Sequence, residues 1–219
     1  GPHGSLKRER SMHPLITALF LSTALVLVGC SRHQADLERG MAAYRKGDYA
    51  AALKELQPLA EDGNPQAQFQ LGWMHREGQG LPSDAVQMAK WLRKSAEQGY
   101  MEAQFHLGEL YARGIGVREH PAQALQWFLK AADQGHARSQ FNAGEMYAYG
   151  GPGVKKDVVA AYALYSLPDK GDASLGNSKK SALSSLARKL SRDEVQAGKA
   201  LASQMTSAGS SPSKVLAQR

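Results

Sequence analysis

Residues 101–135 read MEAQFHLGELYARGIGVREHPAQALQWFLKAADQG, and two variants of the same stretch flank it: PQAQFQLGWMHREGQGLPSDAVQMAKWLRKSAEQG at 65–99 and ARSQFNAGEMYAYGGPGVKKDVVAAYALYSLPDKG at 137–171. Three series of residues keep a spacing of 36: Gly72, Gly108 and Gly144; Gly63, Gly99, Gly135 and Gly171; Phe69, Phe105 and Phe141. A fixed period of this length means a stack of supersecondary units. Each is too small to bury its apolar face alone and is covered by its neighbours.

Within a unit the apolar residues follow helical spacing. Ala103, Leu107 and Tyr111 recur at i, i+4 and i+8 and form one stripe of a first helix. A glycine inside a helix costs about 1 kcal/mol relative to alanine, so the return of Gly108 at each period predicts close approach of another helix. The loop Arg113-Gly-Ile-Gly-Val117 stops the first helix. Asp84 and Asp157 suit the N-cap of a second helix, His120 followed by Pro121 fills that place in the middle unit, and the periodic glycine ends the element. Trp91 and Trp127 fall on the core side of the second helices. Pro168 removes a backbone hydrogen bond there and predicts a shortened or kinked second helix in the third unit.

These residues resemble the Sel-one-like repeat family, a branch of the tetratricopeptide-type helical repeats. Residues 101–135 match its pattern almost throughout, including Trp127-Phe128-Leu129-Lys130-Ala131-Ala132. The departures are His75 in a tyrosine place, Ala143 for leucine, an extra loop residue near Gly151-Pro152, and Pro168 for alanine. The resemblance implies an all-α fold, a right-handed α-solenoid of helix-turn-helix repeats whose first helices line a concave, partner-binding surface. Residues 35–63, with Gly40, Tyr44 and Gly47-Asp48-Tyr49, look like a shorter tetratricopeptide-style hairpin, which makes four repeats over 35–171 (35–63, 65–99, 101–135 and 137–171). Beyond them Leu183, Leu186 and Leu190 mark one helix, and the capping-box sequence Ser191-Arg-Asp-Glu194 opens another. Residues 178–205 therefore read as the helical cap of the array, and 206–219, serine-rich and without periodicity, as a disordered tail.

The chain has 219 residues and a single cysteine, Cys30, which excludes an intramolecular disulfide or a cysteine-rich zinc site. Leu15 to Val28 is a continuous apolar run, preceded by Lys7-Arg8-Glu9-Arg10 and closed by Leu27-Val28-Gly29-Cys30. It is shorter than the roughly 20 residues of a membrane span but fits a signal peptide. Its last four residues resemble the lipobox of bacterial lipoproteins. That resemblance implies removal of 6–29, lipidation of Cys30 with palmitate-type chains, and an acylated linker over 30–34. With Ser31 rather than aspartate after the cysteine, it implies an outer-membrane lipoprotein facing the periplasm. One acyl chain binds a membrane marginally, whereas two or more anchor it stably. Residues 1–5, GPHGS, read as a cloning remnant. The net charge of +7 is confined to the ends: residues 1–30 contribute +2 and 170–219 contribute +6, while 31–169 carry 15 basic and 16 acidic side chains. A neutral body argues against a nucleic-acid partner.

No nucleophile elbow, phosphate loop, dinucleotide fingerprint or His-Glu-x-x-His motif occurs. His33, His75, His106, His120 and His136 stand singly, and the periodic Glu109 and Glu145 lack an accompanying base or nucleophile. The expectation is no catalytic residue, no metal site and no cofactor. On a helical wheel the face opposite Ala67, Leu71 and Met74 carries Phe69, Trp73 and Arg76, continued by Phe105 and Glu109 and by Phe141 and Glu145. An aromatic row flanked by mixed charge suits an extended peptide or helix of a partner. For the three phenylalanines packing between repeats is the slightly favoured reading, because an aromatic there belongs to the family pattern; Trp73, whose counterparts are glutamates, is the clearer binding residue. The leading expectation is a non-catalytic, membrane-anchored adaptor for an envelope protein or peptide. Two alternatives stand beside it. One is a regulator of an envelope enzyme acting on peptidoglycan or exopolysaccharide. The other is a glycan-binding structural lipoprotein whose basic cap (Lys179, Lys180, Arg188, Lys189, Arg192, Lys199) meets glycan or anionic lipid.

Overall fold

The computed structural model describes residues 33–168 and 173–219. The expected signal segment, Cys30 and Gly171 lie outside them. Among the described residues the secondary structure is helical, with one isolated bridge between Gly151 and Val154 in a loop. No helix among them is long and apolar enough to cross a membrane.

The chain divides into two compact units, with the boundary inside one helix. The first, ending at Glu55, holds α1 (33–45) and the start of α2 (Tyr49–Glu61). Asp48 caps α2 by accepting from the Ala51 amide at 3.0 Å. Arg39 of α1 pairs with Asp36 and, at 3.1 Å, with Glu55 of α2.

The second unit, from Leu56 on, is an α-solenoid. Its helix pairs are α3 (Pro65–Glu77) with α4 (Ala85–Glu97), α5 (Met101–Arg113) with α6 (Pro121–Asp133), and α7 (Ala137–Tyr149) with α8 (Val158–Ser166). Each helix packs on the next in sequence. Five of the six have 13 residues and α8 has nine, because Leu167, preceding Pro168, is extended at ψ 146°. Asp84, His120 and Asp157 cap the second helices through their side chains.

The helical glycines are where two helices touch. A Cβ on Gly108 would lie 2.7 Å from the Phe128 ring, one on Gly144 2.5 Å from Tyr165, and one on Gly72 3.1 Å from Leu92. Gly116 joins neighbouring repeats: at φ 66°, a Cβ there would overlap the Ala85 carbonyl at the start of α4. The tryptophans of the second helices depart from expectation. Leu92 and Phe128 are buried, whereas Trp91 and Trp127 are half-buried beneath the ammonium groups of Lys94 (4.3 Å) and Lys130 (4.0 Å). Each ring sits one position off the buried stripe and is covered by a lysine on its outer side, while Trp127 also packs against the edge of the core.

Exposed glutamines at the ends of the second helices link each repeat to the one before it and to a buried glutamine of its own first helix. Gln98 Nε2 donates to the Gly63 carbonyl and to Gln68 Oε1, both at 2.8 Å; one repeat later Gln134 does the same to Gly99 (2.9 Å) and Gln104 (2.8 Å). In the third repeat the acceptor Gln140 is served from the cap: Lys179 Nζ, 2% exposed, lies 2.8 Å from Gln140 Oε1 and 2.7 Å from the Leu167 carbonyl. Lys179, expected on a basic outer surface, is thus an internal latch, while Lys180, Arg188, Lys189, Arg192 and Lys199 are exposed.

That cap is α9 (Ala173–Ala187) and α10 (Arg192–Thr206), the latter opened by the Ser191–Glu194 capping box. Residues 206–219, expected as a disordered tail, are instead folded. They carry α11 (Pro212–Leu216), which packs on α6 and α10 with Leu216 in the core beside Leu201 and Met205. Asp133 accepts from the Ser213 amide at 2.8 Å and from its hydroxyl, and Arg219 donates twice to Asp157, at 2.8 and 3.1 Å. These anchors sit 80 and 62 residues away in the chain, beyond any local pattern.

Candidate partner-binding clefts

Trp73 and Arg76 stand one turn apart on α3, so the guanidinium lies over the indole, 4.3 Å from the ring centre. His106 on α5 meets the same indole edge-on at 4.8 Å, and its Nδ1 is 2.8 Å from Glu109. These four side chains wall a cleft of about 490 Å³. Met88, Leu92 and Phe105 form its floor, Arg113 closes the end of α5, and Arg138 reaches in from the first turn of α7.

Phe105 is only 4% exposed, its ring 4.7 Å from His136 and 6.0 Å from Phe128. It is core seen through the cleft floor, so of the two readings weighed for the phenylalanines, packing between repeats holds here and the place on the binding face does not. Phe69 is drawn into the same kind of packing, 5.2 Å from Tyr100 and 6.0 Å from both Trp73 and His106, and lines neither cleft. A flat ring at this period bridges to the start of the next first helix, Tyr100 or His136.

A second cleft, about 800 Å³, opens between α7, the start of α8 and the cap helix α9. Phe141, Glu145, Tyr149 and Tyr165 line one side and Asn177, Ser178, Ser181 and Ser185 the other. Phe141 and Tyr165 pack at 5.8 Å, and the Tyr165 hydroxyl donates to Glu145. Burial, reinforced by that carboxylate, pushes the Tyr165 phenol far above its ordinary range. Tyr149 is 77% exposed at the rim.

The continuous row expected from the helical wheel is therefore divided. Trp73, Arg76, Phe105 and Glu109 meet in the first cleft; Phe141 and Glu145 belong to the second. His106, Arg113 and Arg138 were not singled out by the sequence for this face, and no periodic signal marks them. Among the described residues no group of three His, Cys, Asp or Glu side chains is placed to hold a metal.

The Sel1 repeat profile matches residues 65–100, 102–136 and 137–167. A Sel1 repeat protein from Oxalobacter formigenes has a similar structure, with TM-score 0.61 and 26% identity over 73% of this chain and 63% of that one. So does c5321, a protective antigen present in uropathogenic Escherichia coli strains displaying an SLR fold, with TM-score 0.58 and 26% identity over 86% of this chain and 45% of that one. The chain spans less than two thirds of the length of either. No curated protein matches it. Sel1 repeats generally mediate protein–protein interactions and are typically non-catalytic. The flush glycine contacts fall at the period of the three matched repeats, so this chain carries three Sel1 repeats, stacked as in the solved Sel1 repeat proteins it resembles.

Proposed function

We propose that this protein is a lipid-anchored, non-catalytic adaptor of the bacterial cell envelope, facing the periplasm. It holds an extended segment of a partner protein in the cleft between α3 and α5. The observation that carries the reading is Trp73. Its periodic counterparts are Glu109 and Glu145, so the repeat scaffold does not require an aromatic there, yet the indole stands half-exposed at a cleft under Arg76. Amphipathic aromatics of this kind are the usual anchors of protein interfaces. Affinity capture from envelope extracts should recover one dominant protein. That protein should be lost with Trp73→Ala at unchanged thermal stability; unchanged recovery would remove the cleft from the account. Phe105→Ala is unsuitable as a probe because its ring is core. The anchor is tested apart from the cleft. Cys30→Ser should move the protein from the membrane to the soluble fraction and abolish palmitate labelling.

A second reading, glycan binding, draws support from the second cleft. There an exposed tyrosine faces a row of hydroxyl and amide side chains on α9. Sedimentation with cell-wall sacculi, reduced by Tyr149→Ala, would favour it over the adaptor.

A further inference from the structure

We infer that the first cleft receives an acidic protein segment, in which carboxylate side chains flank one apolar residue; this rests on the reading of that cleft as the partner site. Three arginines line it, Arg76, Arg113 and Arg138, against one carboxylate, Glu109, which His106 already engages at 2.8 Å. The arginines come from three helices, α3, α5 and α7. They also occupy three different places in the 36-residue period. The counterparts of Arg76 are Ala112 and Ala148, those of Arg113 are Glu77 and Tyr149, and those of Arg138 are Gln66 and Glu102. The repeat pattern therefore demands none of them, and their convergence is a property of this site.

Gathering like charges costs repulsion that an arriving anion relieves. The guanidinium is the cation best suited to a carboxylate, presenting paired donors in the matching plane. Arg76 keeps its edge available while its face rests on Trp73; its contact with Glu77, 3.1 Å between two half-exposed side chains, is the kind of surface pair that exchanges readily. The floor of Met88, Leu92 and Phe105 accepts an apolar side chain, which favours a protein segment over a nucleic acid or a lipid headgroup. A volume of about 490 Å³ holds only a few side chains, so the determinant is short.

The test is fluorescence anisotropy of the full chain with a labelled peptide GEDLFEDG, its neutral twin GQNLFQNG, a single-stranded oligonucleotide and anionic phospholipid vesicles. The acidic peptide should bind, weaken with added salt, and lose roughly tenfold or more in affinity with Arg113→Gln and with Arg138→Gln. Arg113→Gln removes an exposed charge and should keep wild-type thermal stability; Arg138 also stands over the Phe105 ring at 6.0 Å, so its variant is compared at a temperature where both proteins are fully folded. Equal binding of the two peptides overturns the inference, as does an acidic-peptide affinity that the arginine variants leave unchanged. Arginine-dependent binding of the oligonucleotide or vesicles without peptide binding overturns it too. The two readings fail separately. If the captured envelope partner is lost with Trp73→Ala but is not competed by GEDLFEDG, the cleft stands and its acidic ligand does not. If GEDLFEDG binds through the arginines while partner capture ignores Trp73→Ala, the chemistry stands and the adaptor does not.

Discussion

At the scale of single residues, the glycines of the first helices carry the fold more directly than any apolar side chain. Gly108 pays the helix-propensity cost so that Phe128 can lie flat on the α5 backbone. Gly108→Ala gains back about 1 kcal/mol of propensity but forces the ring aside, an overpacking cost of roughly 1–3 kcal/mol, so net destabilisation is expected in urea unfolding. Gly151→Ala, with nothing within 4 Å of its added Cβ, should be neutral. Tyr165 sets a pH dependence. Because burial and Glu145 raise its folded pKa above the unfolded value, its stabilisation is complete below about pH 10 and is lost as pH climbs toward the folded value. Tyr165→Phe should flatten that alkaline fall, as followed by circular dichroism, and should remove the latest-titrating phenol from the absorbance titration. Tyr100 and Tyr147 are shifted the same way, each chiefly by burial.

At the scale of elements, the array ends where the periodic donor changes identity. Gln98 and Gln134 each bind a glutamine in the first helix of their own repeat and the closing glycine of the repeat before, and Lys179 of α9 supplies the corresponding bond to Gln140. A buried ammonium held by a carbonyl and an amide is costly to mutate, because removing it strands two buried acceptors. Lys179→Met should lower stability by about 1–3 kcal/mol. In hydrogen exchange it should release α9 while α3 to α6 keep their protection, as expected where each unit contacts mainly its neighbours. Loss of protection throughout the array would show that the cap is not a separable element. The shortened α8 belongs to this scale as well: Pro168 fixes Leu167 in extended conformation, which is how the chain leaves the period and turns toward the cap.

For the whole molecule, the C-terminal segment closes the second unit rather than trailing from it. Deleting 207–219 removes Leu216 from the core shared by α6, α8 and α10, and should lower the melting temperature while leaving helix content nearly unchanged. Burial alone would raise the Asp157 carboxyl. The hydrogen bonds from Arg219 and the Ala160 amide outweigh burial and hold the carboxyl below its ordinary value. Its stabilisation is therefore present above about pH 4 and is lost as pH falls through the folded value. Arg219→Gln should lose stability at neutral pH and converge with the wild type in acid. A constant difference at every pH would mean that the pair does not act through charge.

Periodicity, caps and turn residues are local, and the sequence by itself determined them: the repeat period, the helix pairs, the close glycine contacts, the early end of α8 and the Ser191 capping box. What only the tertiary structure decided depends on residues far apart in the chain. Phe105 became floor and Trp73 became wall because stacking sets which side of a wheel a neighbour covers. Lys179 turned inward because a donor was needed at Gln140. The serine-rich tail folded because Asp133 and Asp157 were in reach. Three arginines from unrelated repeat positions met in one cleft, a convergence that no single-repeat pattern contains, since it is created by the packing of one repeat on the next.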